Sequence, residues 1–191
     1  MRRTSTAAVV VGVLVVGGLS GCGGDPKPRF SHSADPSPSV VSSSAAPADD
    51  LAPPEMPEAA KRHTVAGAKA FARYVVETTN YATLMLDPAP LRQISSQHCD
   101  GCQSAIEIIA NDRKKNATVT GGDWTVTSIR VVPLQAGKFR PMQVTIFGHT
   151  TREVITYPSG RQATYEAADV RDRLLMSDGS GGWSLMSWEV L

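Results

Sequence analysis

Val119-Thr120-Gly121-Gly122-Asp123-Trp124-Thr125-Val126-Thr127-Ser128-Ile129-Arg130-Val131-Val132-Pro133-Leu134 is the stretch in which the chain changes its period. Gly121-Gly122 breaks the backbone, and Trp124 to Leu134 is rich in Val and Ile, residues that fit a pleated, half-buried surface. Downstream, Met142, Val144 and Ile146 alternate with Gln143, Thr145 and Phe147, which reads as a strand continuing to Thr156. Tyr157-Pro158-Ser159-Gly160 is a turn signal, and Arg161 to Tyr165 returns from it. Val170 to Met176 and Trp183 to Leu191 form a last hairpin around Asp178-Gly179-Ser180-Gly181-Gly182. The strand half thus holds four to six antiparallel strands.

Upstream of the switch the period is helical. Ala68, Phe71, Val75, Ala82 and Met85, with Thr78 filling the stripe, predict a helix over Val65 to Met85, capped by Thr64. Asp87-Pro88 opens a short second helix through Ile94, because proline is suited to a first helical turn. A third helix runs from Cys102 to Lys115 with Ala105, Ile106, Ile109 and Ala110 on its apolar face. Arg113, Lys114 and Lys115 fall in its last turn, where cations suit the helix dipole and no ligand is needed to explain them. Helices first and strands second predict an α+β domain with the helices on one sheet face.

The domain occupies 58–191, and what precedes it reads as targeting and tether. Met1-Arg2-Arg3 is a basic start, and Ala7 to Val16 is an apolar run too short for a membrane-spanning helix, which needs about 20 residues. Residues 1–21 are therefore expected to be a signal peptide. Leu19-Ser20-Gly21-Cys22 resembles the lipobox of bacterial lipoproteins, in which small residues fit a peptidase cleft and the Cys22 thiol takes the lipid. The competing reading is an ordinary secretory signal with an incidental cysteine. Arg2-Arg3 alone does not separate general from twin-arginine export. Gly23 to Pro57 holds eight Pro and seven Ser with few large apolar residues, so residues 22–57 are expected to be a disordered tether, open to O-glycosylation. The expected location is the extracytoplasmic face of the cell membrane, with a lipid anchor. Removing Arg2 and Arg3 turns the formal net charge from +1 to −1, a balance that supplies no field for nucleic acid.

Ala70-Phe71-Ala72-Arg73-Tyr74 with Asn80-Tyr81-Ala82, His98-Cys99-Asp100-Gly101-Cys102, Gly121-Gly122-Asp123-Trp124 and Trp188 resemble a family of actinobacterial lipoproteins of unknown function with a Cys-x-x-Cys. The order of elements is similar to the NTF2-like (SnoaL-type) cone, in which three N-terminal helices pack on a bent antiparallel sheet that wraps the long first helix and leaves a pocket at its open end. The resemblance implies location and fold and supplies no activity.

With Cys22 lipidated, Cys99 and Cys102 remain, and an even count in an exported chain points to a disulfide that pins the third helix to the preceding turn. Two alternatives stay open. A thiol at a helix N-terminus suits thiol exchange, although no strand of a βαβ unit precedes this motif. A zinc site would start from this pair with the adjoining His98, but the scattered His63 and His149 fall short of a recognisable four-ligand set. No esterase, metalloprotease or phosphate-loop motif is present, so no catalytic residue, metal or cofactor is assigned. Tyr74, Trp124, His149 and Tyr165 are candidate pocket residues. Against that, aromatics at such spacings also build cores, and a strand histidine is usually solvated or satisfied. Glu153 and Asp172 read as isolated carboxylates, Asp172 between Arg171 and Arg173 as on a solvated strand face. Asn116-Ala117-Thr118 matches a glycosylation sequon but carries little weight in a bacterial chain. Three functions follow. The first is a non-catalytic module that binds an envelope protein or a small ligand. The second is an envelope thiol-redox protein. The third is a small-molecule enzyme, which requires a buried His149 or carboxylate.

Overall fold

Thr64 begins the first helix as its residue type suggests: its side-chain oxygen accepts the Gly67 N–H at 3.0 Å, a cap of about 1 kcal/mol. The structure, a computed structural model, describes residues 51–135, 140–179 and 182–191. The signal segment, Cys22 and the tether up to residue 50 lie outside the described residues. Met56 already packs against the core, and a 3-10 turn at Glu58–Lys61 leads into helix α1, Val65–Leu84. Ala68, Phe71, Val75, Thr78 and Ala82 all bury along one face of α1. Each large one contributes about 1.5–3 kcal/mol of apolar burial. Helix α2 spans Ala89–Ile94, with Asp87 Oδ1 accepting the Ala89 N–H at 3.2 Å. Helix α3 spans Asp100–Lys114, beginning two residues earlier than its apolar periodicity suggests because Cys99 serves as its N-cap.

Among the described residues seven strands follow, more than the sequence pattern separates: β1 Thr118–Gly121, β2 Trp124–Pro133, β3 Met142–Thr150, β4 Glu153–Thr156, β5 Gln162–Tyr165, β6 Ala168–Gly179 and β7 Gly182–Val190. They form two antiparallel sheets, β2-β3-β6-β7 and β1-β4-β5. Helix α1 packs on β2 and β3, and α3 on β7. The core between helices and larger sheet includes Phe71, Val75, Val144, Ile146, Leu174, Met176 and Leu185, all with no exposure.

The expected strand from Met142 to Thr156 is corrected here: it is two strands in two sheets, parted at Thr151-Arg152. The break is shared by its neighbours. Gly121 pairs with Glu153 and Trp124 with Thr150, so β1 and β2 part at the same level. Tyr165 pairs with Glu153 and Ala168 with Thr150, so β5 and β6 do too. Three strand lines therefore turn along one corner. Gly121 and Gly122 have φ of 71° and 82°, a region open to glycine and strained for other residues. Thr151 N–H donates to the Asp123 carbonyl at 3.0 Å, and Asp123 N–H donates to Thr151 Oγ1 at 3.0 Å, which ties the two broken strands together.

Candidate functional site

Glu153 opens β4 immediately after the corner. A Cβ added at Gly122 would stand 2.5 Å from Glu153 Oε2, so the glycine leaves the space that the carboxylate occupies. Two cavities share Thr79, Thr83 and Glu153 in their walls. The larger, about 320 Å³, is mostly apolar and adds Leu86, Ile108, Ile109, Val119, Ile155 and Tyr165, with Asp112. The smaller, about 230 Å³, adds Asn80, Gly122, Trp124, Val170 and Asp172.

Three carboxylates surround this junction, each held differently. Asp112, 6% exposed on α3, accepts the Tyr157 hydroxyl at 2.8 Å. That bond holds the phenol above its usual range, since the carboxylate favours the protonated ring; desolvation and the Asp112 charge add to it. The Arg161 guanidinium lies 4.1 Å over the Tyr157 ring. Glu153 is pushed above its ordinary value first by burial and then by the Asp112 charge. Asp172, 5% exposed, accepts the Trp188 indole N–H on Oδ2 at 2.8 Å, while its buried Oδ1 has no partner. Burial raises its carboxyl, and the Trp188 bond partly offsets that. Among the described residues none of the three forms a direct ion pair, although Arg161 and Lys115 lie against the Tyr157 ring that is bonded to Asp112.

Trp124 supports the same wall. The Asn80 side chain brackets its backbone, donating to the carbonyl at 2.9 Å and accepting its N–H at 3.0 Å. Its ring stacks on Trp188 with centroids 6.0 Å apart. Its indole nitrogen sits over Gly148, where an added Cβ would come within 2.6 Å, and finds no hydrogen-bond partner.

The four candidate pocket residues do not meet in one cavity. Trp124 lines the smaller cavity, and Tyr165, 60% exposed, stands at the rim of the larger. Tyr74 is a core residue beside Phe71. His149 lies on the outer face, paired with Asp169 at 3.0 Å, because its strand position is opposite in parity to Met142, Val144, Ile146 and Gly148, which point inward. Asp172 corrects the solvated reading: it shares the inward face of Leu174 and Met176, while Arg171 and Arg173 point the other way. Glu153 is likewise not isolated. Sequence reasoning missed Asp112, which lies three residues after Ile109 on the buried face of α3.

Cys99 and Cys102 are disulfide-bonded, with Cα atoms 5.2 Å apart and no exposure at either residue. An exchange-competent thiol needs access, so this burial weighs against the redox reading. No group of three or more His, Cys, Asp or Glu arranged to hold a metal ion occurs among the described residues.

Two neighbouring pockets open at the sheet corner, one between α1, α3 and the smaller sheet and one between α1 and the larger sheet, in a mixed helix-and-sheet domain. The chain belongs to DUF6318, a family of unknown function, whose model matches residues 40–180. No curated protein matches it significantly. Among solved structures it is similar to the intermembrane space region of the chloroplast protein ARC6, with TM-score 0.51 and 13% identity over 68% of this chain and 98% of that one. Aln2 from a Streptomyces species gives TM-score 0.42 and 9% identity over 68% and 93%. An uncharacterized protein with a cystatin-like fold from Caulobacter vibrioides gives 0.37 and 13% over 63% and 87%. At these identities the first match speaks to fold alone, and the other two scores are too low to carry an argument.

Proposed function

We propose that this protein is an exported lipoprotein, held by a diacylated Cys22 on the extracytoplasmic face of the cell membrane, whose NTF2-like cone binds a small ligand at the sheet corner without transforming it. The succession of basic start, apolar run, lipobox and Pro/Ser-rich tether along the sequence supports the anchoring. One observation carries the binding role: Glu153 sits at the junction of two cavities whose walls also hold the buried carboxylates Asp112 and Asp172. Buried acids without cations do not serve stability, and largely apolar cavities with a few convergent polar groups are what small ligands occupy.

Two experiments test this reading. Cys22→Ala should move the protein from the membrane fraction to the medium or leave an unprocessed precursor; normal processing with full membrane retention refutes the anchor. Fragment screening of the full chain by amide NMR should give hits that shift Gly122, Glu153 and Thr79, and hits confined to other surfaces refute the pocket. A second reading, an acid/base enzyme, draws on the raised carboxyls of Glu153 and Asp172. Turnover of a bound fragment, abolished by Glu153→Gln, would favour it over simple binding.

A further inference from the structure

We propose that the free edge of β2, with the groove that α1 forms beside it, takes an extended acidic segment of a partner protein, which adds to the larger sheet as a further strand. This goes beyond the small-ligand reading and does not rest on it.

Register shows that the edge is open. β2 is the outermost strand of the β2-β3-β6-β7 sheet. Leu134 N–H donates to the Pro141 carbonyl at 2.9 Å, and the pairing then runs without a slip from Pro133 opposite Met142 to Ile129 opposite Ile146. Antiparallel pairs alternate between bonded and non-bonded residues, so Val131 and Ile129 turn their N–H and C=O groups away from β3. Neither residue's outward groups find a hydrogen-bond partner among the described residues. The stretch is closed at both ends. Pro133 shares their parity and has no N–H to offer. At Trp124 the Asn80 side chain donates to the carbonyl at 2.9 Å and accepts the N–H at 3.0 Å, as a neighbouring strand would. The chain thus plugs one edge position and leaves Ile129 and Val131, beyond the bulge between Val126 and Ser128, without a partner.

A groove follows the same edge. One depression is lined by Val65 and Lys69 of α1 and by Ser128, Ile129, Arg130 and Val131 of β2. A second is lined by Arg73, Glu77 and Asn80 with Trp124, Thr125 and Val126. Consecutive strand residues point to opposite faces, so a depression lined by four in a row lies along the edge and not on either face. The α1 residues recur every three or four positions and form one stripe. From Val65 to Asn80 the helix advances about 22 Å, and from Val131 back to Trp124 the strand covers about 23 Å. The two depressions therefore form one groove, long enough for about seven extended residues. Charge selects the occupant. Lys69, Arg73 and Arg130 line the groove against the single acid Glu77, and none of the four takes part in an ion pair among the described residues. Antiparallel pairing of two copies over Ile129 to Val131 would set Arg130 opposite Arg130 of the other copy, a like-charge pair. An acidic strand neutralises these cations while its backbone bonds to Ile129 and Val131, so main-chain bonds hold the segment and the cations choose it.

Amide hydrogen exchange read by NMR tests this on the full chain carrying Cys22→Ala. The probes are two end-blocked octapeptides, Glu-Val-Thr-Val-Glu-Val-Thr-Glu and the same peptide with lysine in place of each glutamate. The acidic peptide should slow exchange of the Ile129 and Val131 amides at least about tenfold. It should also bind at least about tenfold more tightly than the lysine peptide. Lys69→Glu/Arg130→Glu should invert that preference, and both side chains are exposed, so the fold is retained. Equal affinity for the two peptides would overturn the acidic partner. Binding that leaves Ile129 and Val131 exchanging as before would overturn strand addition. Protection of the two amides that grows with protein concentration in the absence of peptide would mean that a second copy covers the edge, and would overturn the proposal too. So would binding of neither peptide. None of these outcomes bears on the corner pockets, which the fragment screen tests separately.

Discussion

The two ends of the inner sheet face are built by opposite rules. At the hairpin end, Val144, Leu174, Met176 and Leu185 lie in the core with no exposure, and their side chains carry no hydrogen-bonding N or O. At the corner end the same face carries Asp172, which has an unpaired oxygen, and Trp124, which has an unpaired indole nitrogen. Packing explains the first end completely. It does not explain the second, where each buried polar atom without a partner costs about 1–3 kcal/mol. A domain that keeps buried acids beside pockets has given up stability for something else, and the ligand site proposed above is the direct account.

Breaking the apolar end should have the largest effect. Leu174→Ala removes a fully buried side chain in contact with the main core and should lower unfolding free energy by about 2–5 kcal/mol in urea titration. A loss below about 1 kcal/mol would mean that this end is loosely packed and that the contrast is false. Gly122→Ala should act more mildly on stability, by about 1–2 kcal/mol for a non-glycine residue at positive φ. Its larger consequence falls on the site, because the new methyl group occupies the space of Glu153 Oε2. Ligand binding should therefore drop further than for a variant of equal stability elsewhere; unchanged binding would show that the Glu153 position is not set by Gly122.

Much of the apolar end was legible in the sequence. Three- and four-residue spacing placed Ala68, Phe71, Val75, Thr78 and Ala82 on the buried face of α1, and alternation placed Met142, Val144 and Ile146 together on β3. The Tyr157-Pro158-Ser159-Gly160 turn joins β4 to β5. The corner was harder to read, for a physical reason. Thr151-Arg152 contains no breaker, and the bend in β3–β4 is dictated by Gly121-Gly122 in the strand line beside it, a contact invisible until register is known. Asp172 was obscured by its flanking arginines. Its parity with Leu174 and Met176 was the better signal, because strand neighbours two apart share a face whatever their charge. Asp112 followed the α3 stripe one step past Ile109, where an acidic residue disguised a buried position.

The stability of the corner carboxylates depends on pH in a definite direction. Glu153 and Asp172 have folded-state values above their ordinary 4.5 and 3.8, so between those values and the raised ones the native state binds more protons than the unfolded chain. Their contribution to stability is therefore fullest below the ordinary values and is lost as pH rises through the raised ones.

The most direct measurement is the unfolding free energy of the Glu153→Gln/Asp172→Asn double variant at pH 7, set beside its ligand binding. Neutral side chains at these sites should stabilise the empty domain by about 0.5–2 kcal/mol, the range typical of changes that relieve a functional site, while binding is lost. A double variant that is less stable than the unaltered chain at pH 7 would contradict the account, because the acids would then belong to the architecture and not to a site.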